Sequence, residues 1–389
     1  MTHAVVPDLP GPLPDLLDHV ADGPVVRLRT TGPSAGGEAW LVTDYHLGRI
    51  VLTDRRFSRA AAARPDAPKL NTANPAPSSM VSLDGTEHAR LRHLVAGAFS
   101  PRRTTQWTPL VERLTCELLD DLDDSAPPAD LIASFAAPLP LAVLCRLLGV
   151  PAQDRPVFQS SVGVLFDVSA STPREKARRA FALYDYMSAL IERKRREPAD
   201  DLLCALIDGH RDGRLSHREL IDLCLAMLMA GYETTVGQLG LSVLAILRDP
   251  ALREQVHDGT GGAAVVEEQL RLTPATPLSF PRVAVEDVRL GGVTVEAGQA
   301  VVVSLLHGNR DDKVFTDAQT VQRRSVPHLT FGHGAHYCLG APLARLQVRV
   351  AVEALFHRFP RLRLAAGPDA VRWHDGLATR GLSRLMVAW

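Results

Sequence analysis

This sequence is short of cysteine, of net charge and of any leader-like N-terminus. Its 389 residues include five cysteines, an odd number without CxxC spacing, which argues against a disulfide framework and a structural zinc site. The formal net charge of −1 gives no basic excess of the kind that nucleic-acid-binding proteins carry. The first residues hold neither the basic nor the apolar segment of a signal peptide. We therefore expect a soluble, cytoplasmic protein.

Apolar residues make up 46% of the chain, which is enough for a packed core. The length would accommodate two average domains, but we expect a single domain over residues 1–389. Apolar spacing of three and four residues predicts a mainly α-helical fold with a smaller β portion. The helical part is expected at about 84–272 and 341–358, and the β-rich parts at about 25–57, 282–306 and 373–389.

Local signals mark where two helices begin. Asp84 with Glu87, and Ser216 with Glu219, resemble capping boxes. The second box opens a helix of roughly thirty residues that is apolar on every face over part of its length, so we expect it in the middle of the protein. A membrane span is the alternative, but acidic and hydroxyl side chains interrupt the apolar run. We also predict a loop at residues 60–80 and a surface helix pair at 155–200.

One stretch near the C-terminal end, FGHGAHYCLG at residues 331–340, has neither helical nor strand periodicity. Glycines on both sides of Cys338 allow positive φ angles and a close approach of the backbone to something large and flat. A helix is predicted to start at Ala341, with Pro342 in its first turn. Its positive end should lower the pKa of the Cys338 thiol. We therefore predict that Cys338 ligates a heme iron.

Two alternatives for Cys338 carry less weight. Most single cysteines are inert core residues, but no helical pattern hides Cys338 and its flanking glycines would pack poorly in a core. The inert role is expected for Cys116, Cys145, Cys204 and Cys224, which lie on apolar helical runs. The other alternative is a zinc site with His328, His333 and His336, whose spacing fits no common zinc pattern.

Polar residues inside the long helix form a second candidate site. Glu233 and Thr234 are adjacent in an apolar segment, where an acid is costly to bury unless it is paired or used. The Thr234 hydroxyl is expected to bond the carbonyl of Ala230, four residues back. In isolation this pair is a satisfied polar kink, whereas beside a heme it would be a proton relay. The small residues Ala230 and Gly231 are expected to leave room for a diatomic ligand.

The loop from Phe331, written Phe-Gly-x-Gly-x-His-x-Cys-x-Gly and continued by Leu343-Ala344-Arg345, resembles the heme-binding loop of the cytochrome P-450 superfamily in its soluble bacterial form. Residues 230–235, AGYETT, are similar to that family's oxygen-activation motif. The resemblance covers nearly the whole chain. It implies a cytochrome P-450 fold with heme b between a long central helix and the cysteine loop with its following helix. It also implies the Cys338 thiolate as the axial iron ligand, with Glu233 and Thr234 as the catalytic pair.

The resemblance further implies which residues contact the heme. Its two propionates should meet His88 and Arg92, which match the family's His-x-x-x-Arg helix, together with Arg282 and His328, while His336 is a weaker candidate. The complete expected set is His88, Arg92, Ala230, Gly231, Arg282, His328, Phe331, Gly332, His336, Cys338 and Gly340.

A Glu-x-x-Arg sequence precedes the second β-rich part. Glu268 and Arg271 lie at i,i+3, which by itself predicts an exposed pair on one helix face. In the family this sequence is a buried structural ion pair with a third partner from the segment before the heme loop. That segment departs from the family pattern here, so Arg323 and Arg324 are both candidates for the partner.

The implied activity is that of a heme-thiolate monooxygenase, which activates O2 and hydroxylates or epoxidises a lipophilic small molecule of secondary metabolism. Electrons are expected from a ferredoxin and its NAD(P)H-dependent reductase, and the protein is expected to be a monomer. Arginines proposed to meet the ferredoxin are Arg102, Arg103, Arg345 and Arg349, although ordinary solvated charges explain them equally well. The substrate pocket is expected to include Val162, Phe166, Met227, Thr276, Pro277, Leu278, Leu377 and Ala378.

Three other functions stay open at this point. The same fold could couple aromatic rings oxidatively, or it could use peroxide in place of O2. A heme-binding carrier or sensor without turnover is the third. The retained Glu233 and Thr234 argue against the last two, because neither needs a proton relay.

Overall fold

The computed structural model describes residues 4–6, 23–30, 38–68, 75–156, 172–257, 261–317, 326–374 and 379–389. Its helices are α1 (Tyr45–Thr53), α2 (Arg59–Ala63), α3 (Gly85–Ala96), α4 (Pro101–Asp123), α5 (Pro138–Leu147), α6 (Pro173–Arg196), α7 (Leu202–Arg211), α8 (His217–Arg248), α9 (Pro250–His257), α10 (Gly262–Leu272), α11 (Leu305–Gly308) and α12 (Ala341–Arg358). Its strands are β1 (Ala4–Val6), β2 (Val25–Thr30), β3 (Glu38–Val42), β4 (Phe57–Ser58), β5 (Ala129–Asp130), β6 (Arg282–Ala284), β7 (Val288–Leu290), β8 (Val293–Val295), β9 (Ala300–Val303), β10 (Arg363–Leu364), β11 (Val371–Trp373) and β12 (Leu382–Ala388). The predicted mainly helical fold with a smaller β portion is confirmed.

The larger sheet joins distant parts of the chain in the order β1-β2-β3-β9-β6-β4. Strands β2 and β3 pair antiparallel, and β3 then pairs parallel with β9. A separate hairpin of β7 and β8 turns at Gly291 and Gly292, both at positive φ, which glycine adopts without strain. The C-terminal strands β11 and β12 pair antiparallel, and β5 adds to β12. The two-residue strand β5 was not predicted, since it is too short to show a period.

Helix α8 runs through the centre of the helical part. Its predicted capping box is present, because the Ser216 hydroxyl accepts from the Glu219 N–H at 3.2 Å and the Glu219 carboxylate accepts from the Ser216 N–H at 2.7 Å. Within the described residues it is the one helix long and apolar enough to cross a membrane, and 56% of its most apolar window is buried in the protein. It packs against α5, α6, α10 and α12, as the central helix of a core.

The structure corrects three expectations. The Asp84 side chain does not cap α3, because it accepts hydrogen bonds from the Ser58 hydroxyl at 2.6 Å and the Ala60 N–H at 2.9 Å. The predicted loop at 60–80 contains part of helix α2, which Ser58 caps through the Ala61 N–H. Cys116 is exposed, whereas Cys145, Cys204 and Cys224 are buried as expected. In the predicted helix pair at 155–200, the structure describes α6 and not residues 157–171.

Candidate active site

The cysteine loop is shaped by two glycines at positive φ. Gly332 and Gly334 both have φ of +72°, and a Cβ on Gly334 would lie 2.7 Å from the Thr53 side chain of α1. The Cys338 N–H closes the loop by donating to the Phe331 carbonyl at 2.8 Å. Helix α12 begins three residues beyond the sulfur with Pro342 in its first turn, as predicted. The loop therefore presents Cys338 in a fixed backbone setting.

Cys338 is accessible, yet it lies among so much protein that burial raises the pKa of its thiol. The N–H groups of Gly340 and Ala341 donate toward the sulfur and oppose that rise, as do the charges of Arg92 and Arg345. The sequence predicted a lowered pKa, so the desolvation penalty was underestimated. A bound metal cation would deprotonate such a thiol outright. An accessible sulfur inside the protein, faced by N–H donors, fits the thiolate ligand of a heme.

The middle of α8 borders an open space. Ala230 is exposed and Thr234 half-buried, although most of the following two turns are buried. The Thr234 hydroxyl donates to the Ala230 carbonyl at 2.7 Å, so the predicted bond is confirmed. Gly231 has a different purpose from the one expected, because a Cβ there would lie 2.8 Å from the Leu144 side chain of α5. Its small size lets two helices pack, and the room beside α8 is at Ala230.

Glu233 is an ionisable group in an apolar setting. It is 8% exposed, and within the described part of the chain its carboxyl has neither a hydrogen-bond nor an ion-pair partner. Burial raises its pKa to about 7. Such a carboxyl holds a proton near neutral pH and can release it, which suits a group that supplies protons.

Buried arginine and histidine side chains lie close together between α3 and the cysteine loop. The rings of His88 and His336 are 4.2 Å apart, and His336 Nε2 lies 3.5 Å from an Asp84 oxygen. Burial, aided by the neighbouring charges, lowers the pKa of His88 to about 4. Arg282 is buried, and its Nε has no partner among the described residues. Arg59, which the sequence prediction missed, is buried near Arg282, and burial lowers the pKa of each guanidinium to about 10.

This cluster fits the anionic edge of a heme. Buried cations with depressed pKa values and an unpartnered Nε call for an anion, which two propionates would supply. Arg92 lies beside it and donates to the Tyr337 carbonyl at 2.7 Å. The signal that could have found Arg59 is its position directly after the helix-capping Ser58, but only the fold brings it next to Arg282.

His328 has different neighbours from the other predicted propionate contacts. Its Nε2 lies 3.1 Å from a Glu267 oxygen, and its Nδ1 accepts from the Thr330 N–H at 3.3 Å. Both ring nitrogens therefore have protein partners. The sequence had ranked His328 above His336, whereas in the structure His336 is the one that lies beside His88.

The Glu268–Arg271 pair is buried, with side chains 5% and 1% exposed, so the exposed-pair alternative is wrong. Arg271 donates to both carboxylate oxygens at 3.0 and 2.7 Å, and its Nη1 donates to the Asn309 carbonyl at 2.7 Å. The Asn309 side chain in turn accepts from the Leu329 N–H at 2.6 Å, just before the cysteine loop. Asn309 thus connects the pair to the loop. Arg323 and Arg324 lie outside the described residues.

The predicted substrate pocket is only partly within the described chain. Met227 and Pro277 are buried, and Thr276 and Leu278 are half-buried. Leu278 packs against the apolar side chains of the large sheet. Val162, Phe166, Leu377 and Ala378 lie outside the described residues.

The four predicted ferredoxin-facing arginines differ in their surroundings. Arg345 is held by Glu267, with two hydrogen bonds of 2.8 Å. Arg349 lines a surface cavity of about 320 Å³ between α4, α10 and α12. Arg102 and Arg103 are exposed in the first turn of α4.

In the part of the chain that the structure describes, no three His, Cys, Asp or Glu side chains lie close enough together to bind a zinc ion. Of the residues proposed for it, His333 accepts a hydrogen bond from Arg49 at 3.1 Å and His328 bonds Glu267.

Comparison with known proteins finds a matching family model, similar sequences and a similar solved structure. The family model described as cytochrome P-450 matches residues 263–366. Nocardicin C N-oxygenase of Nocardia uniformis subsp. tsuyamanensis is 40% identical over 95% of this chain and 93% of its own length. Mycinamicin IV hydroxylase/epoxidase of Micromonospora griseorubida is 41% identical over 94% of this chain and 92% of its own length. The solved structure of the LnmA cytochrome P-450 hydroxylase of Streptomyces atroolivaceus is 40% identical, with a TM-score of 0.85 over 94% of this chain and 93% of that one.

Proposed function

This chain belongs to the cytochrome P-450 superfamily and is a monooxygenase of that family, and on this premise we propose that it hydroxylates or epoxidises a lipophilic small molecule of bacterial secondary metabolism. The observation that carries the proposal is Cys338, an accessible sulfur inside the protein with two backbone N–H groups directed at it. The names of the two curated relatives identify one as a hydroxylase/epoxidase and the other as an N-oxygenase.

The residues that would hold the heme are taken from three parts of the fold. Cys338 would provide the thiolate ligand, and the buried guanidinium groups of Arg282 and Arg59 would neutralise the propionates, with the rings of His88 and His336 beside them. When bound, the heme iron supplies the activation of O2, which no side chain of this chain can perform. Gly332 and Gly340 would allow the loop backbone to approach the porphyrin closely.

Glu233 and Thr234 would deliver protons to the oxygen side. Glu233 holds a proton near neutral pH because burial raises its pKa to about 7. Thr234 Oγ1 donates its one hydrogen to the Ala230 carbonyl at 2.7 Å, and once rotated out of that bond the hydroxyl can accept from a water or acid and donate onward. The exposed Ala230 leaves the space in which that transfer takes place.

The substrate would lie beside α8, against Met227, Ala230 and the segment at residues 276–278. This lining is apolar, which suits a lipophilic molecule. The two curated relatives are named for mycinamicin IV and nocardicin C, two different molecules. Their similarity therefore supports a reaction class and leaves the substrate of this chain to be identified by product analysis, which also distinguishes hydroxylation from aromatic coupling.

Electrons would come from a ferredoxin and its NAD(P)H-dependent reductase, with the protein acting as a cytoplasmic monomer of one domain. The docking face would include Arg102 and Arg103 in the first turn of α4 and Arg349, which lines the cavity beside α12. Arg345 is less suited to that role, because Glu267 already neutralises it.

The spectrum of the ferrous carbonyl complex tests the function. The wild-type protein should show the red-shifted Soret band of thiolate-ligated heme, and Cys338→Ala should lose it because the ligand is gone. Cys116→Ala, which changes an exposed cysteine, is the matched control and should keep the band. A Cys338→Ala protein that retained the red shift would refute the proposed ligand.

Thr234→Ala tests the proposed proton delivery. The variant should bind heme normally but release more hydrogen peroxide and less hydroxylated product per NAD(P)H, since the hydroxyl that passes the proton is missing. The measurement is the ratio of product to consumed NAD(P)H, with Thr235→Ala as the neighbouring control. Unchanged coupling in Thr234→Ala would contradict the relay.

A further inference from the structure

Glu267 lies next to the buried Glu268 on α10, but its carboxylate bonds different residues. Its carboxylate accepts three hydrogen bonds, two from Arg345 at 2.8 Å and one from His328 Nε2 at 3.1 Å. The His328 Nδ1 accepts from the Thr330 N–H, so the ring hydrogen lies on Nε2 and is directed at the carboxylate. One side chain on α10 therefore engages residues 61 and 78 positions further along the chain.

Arg345 connects this carboxylate to the cysteine loop. Its guanidinium lies 4.4 Å from the centroid of the Phe331 ring, and its Nη1 donates to the Tyr337 hydroxyl at 3.2 Å. Phe331 begins the loop and Tyr337 immediately precedes Cys338, so Arg345 contacts the loop at its first residue and next to the cysteine. A planar guanidinium with five donors can make a two-point carboxylate contact and stack on a ring together, which lysine cannot.

Glu267 and Arg345 both stay ionised across the physiological pH range. Burial alone would raise the pKa of Glu267, but the hydrogen bonds from His328 and Arg345 outweigh it and lower the pKa to about 2. Burial would lower the pKa of Arg345, and the contacts with Glu267 and Tyr337 outweigh that effect as well. Arg345 also contributes an attractive charge at Cys338.

We propose that Glu267 is a positioning residue for Cys338: it fixes Arg345 against Phe331 and Tyr337, and so holds the part of the loop that leads into Cys338. The inference rests on the proposed function, since it takes Cys338 as the heme ligand. It assigns Arg345 and His328 to one network under the loop, in place of ferredoxin docking and propionate binding. The network approaches the ligand through Arg345 and is separate from the Glu268–Arg271–Asn309 connection.

Glu267→Gln tests the proposal with little change in volume. Glutamine has one acceptor oxygen in place of two, so the two-point contact with Arg345 is lost and its amide hydrogens face one of the donors that the second oxygen accepted from. The matched control is Glu254→Gln, which makes the same charge change at an exposed site on α9. The measured quantities are the rate of heme transfer to an apoglobin scavenger, the reduction potential of the heme and the ferrous carbonyl spectrum.

We expect Glu267→Gln to lose heme roughly tenfold faster, as is typical when an outer-sphere partner of a metal ligand is removed. A larger share of its carbonyl complex should lack the thiolate red shift, and its reduction potential should rise because a negative charge near the iron is gone. Glu254→Gln should match wild type in all three. A Glu267→Gln protein equal to Glu254→Gln in heme transfer and spectrum would overturn the proposal.

Arg345→Lys separates geometry from charge and serves if Glu267→Gln does not fold. It keeps the positive charge but loses the two-point contact and the stacking on Phe331, so it should also lose heme faster and lose part of the red shift. Wild-type behaviour of Arg345→Lys would overturn the positioning role. The proposed function is judged separately, by the red shift of the wild-type protein and its loss in Cys338→Ala.

Discussion

At the scale of single residues, the site depends on two acids that burial affects in the same direction. Burial raises the pKa of the Cys338 thiol and of the Glu233 carboxyl. Cys338 has backbone N–H groups facing it, so a cation can draw it into the thiolate form. Glu233 has no described partner and keeps its proton until about neutral pH. Burial thus favours the protonated proton donor at Glu233, whereas at Cys338 it opposes the thiolate, which a bound cation has to offset.

The raised pKa of Glu233 predicts how its presence affects stability. Its folded-state pKa of about 7 exceeds the ordinary value of 4.5, so between these pH values the unfolded chain loses a proton that the folded protein keeps. Stability from this group is therefore lost as pH rises through that window. Relative to Glu233→Gln, which does not titrate, wild type should lose about 3 kcal/mol of unfolding free energy from pH 4 to pH 8. Denaturant titrations of both proteins measure it.

The control for this measurement is Glu254→Gln, an exposed carboxylate on α9. It makes the same substitution at an exposed position, so it reports what a Glu→Gln replacement does away from the buried site. A Glu233→Gln difference from wild type that did not vary with pH would show that the Glu233 carboxyl is not held neutral in the folded protein.

At the scale of elements, helix α10 supports the cysteine loop through two adjacent carboxylates. Glu268 faces the buried Arg271, which reaches the Asn309 carbonyl, and the Asn309 side chain bonds the Leu329 N–H. Glu267 faces Arg345 on α12. The short helix α10 thus contacts the chain before the loop and the helix after it, which explains how a loop rich in glycine keeps one shape.

Arg271→Met should destabilise the protein strongly, because it leaves the Glu268 carboxylate buried without its cation. The expected loss is about 3–5 kcal/mol in the free energy of unfolding, measured by urea titration. The double variant Glu268→Gln with Arg271→Met removes the uncompensated charge and should recover part of that loss. A single variant within about 1 kcal/mol of wild type would mean that the pair is not buried as described.

At the scale of the whole molecule, the helical part and the large sheet meet around the site. The sheet positions Arg282 at the start of β6, α3 provides His88, and α8 provides Glu233 and Thr234. Arg102 and Arg103 lie in the first turn of α4, and Arg349 of α12 lines a cavity of about 320 Å³ that other residues of α4 also line. Positive charge on this docking face suits an acidic electron donor.

Charge reversal at this face is predicted to weaken ferredoxin use. Arg102→Glu combined with Arg349→Glu should raise the ferredoxin KM roughly tenfold at low ionic strength and weaken its salt dependence, since steering by opposite charge is lost. Steady-state kinetics over a salt series provide the measurement, with Arg55→Glu, an exposed arginine between α1 and β4, as control. Unchanged KM and salt dependence would remove this face as the docking site.

The local sequence determined much of this protein. Cys338 with its glycines, the start of α12, the Ser216–Glu219 capping box and the Thr234–Ala230 bond all follow from residues within a few positions of one another. Such features depend on short-range sterics and hydrogen bonds, which the order of residues fixes. The family resemblance rests on the same short stretches.

Only the tertiary structure decided the rest. The Asp84 carboxylate has partners from Ser58 and His336, Arg59 lies near Arg282, and Glu267 bonds Arg345. Each involves residues far apart in sequence, and the burial that raises the Cys338 pKa comes from the surrounding protein. Desolvation and long-range pairing are properties of the packed molecule, so no local pattern contains them.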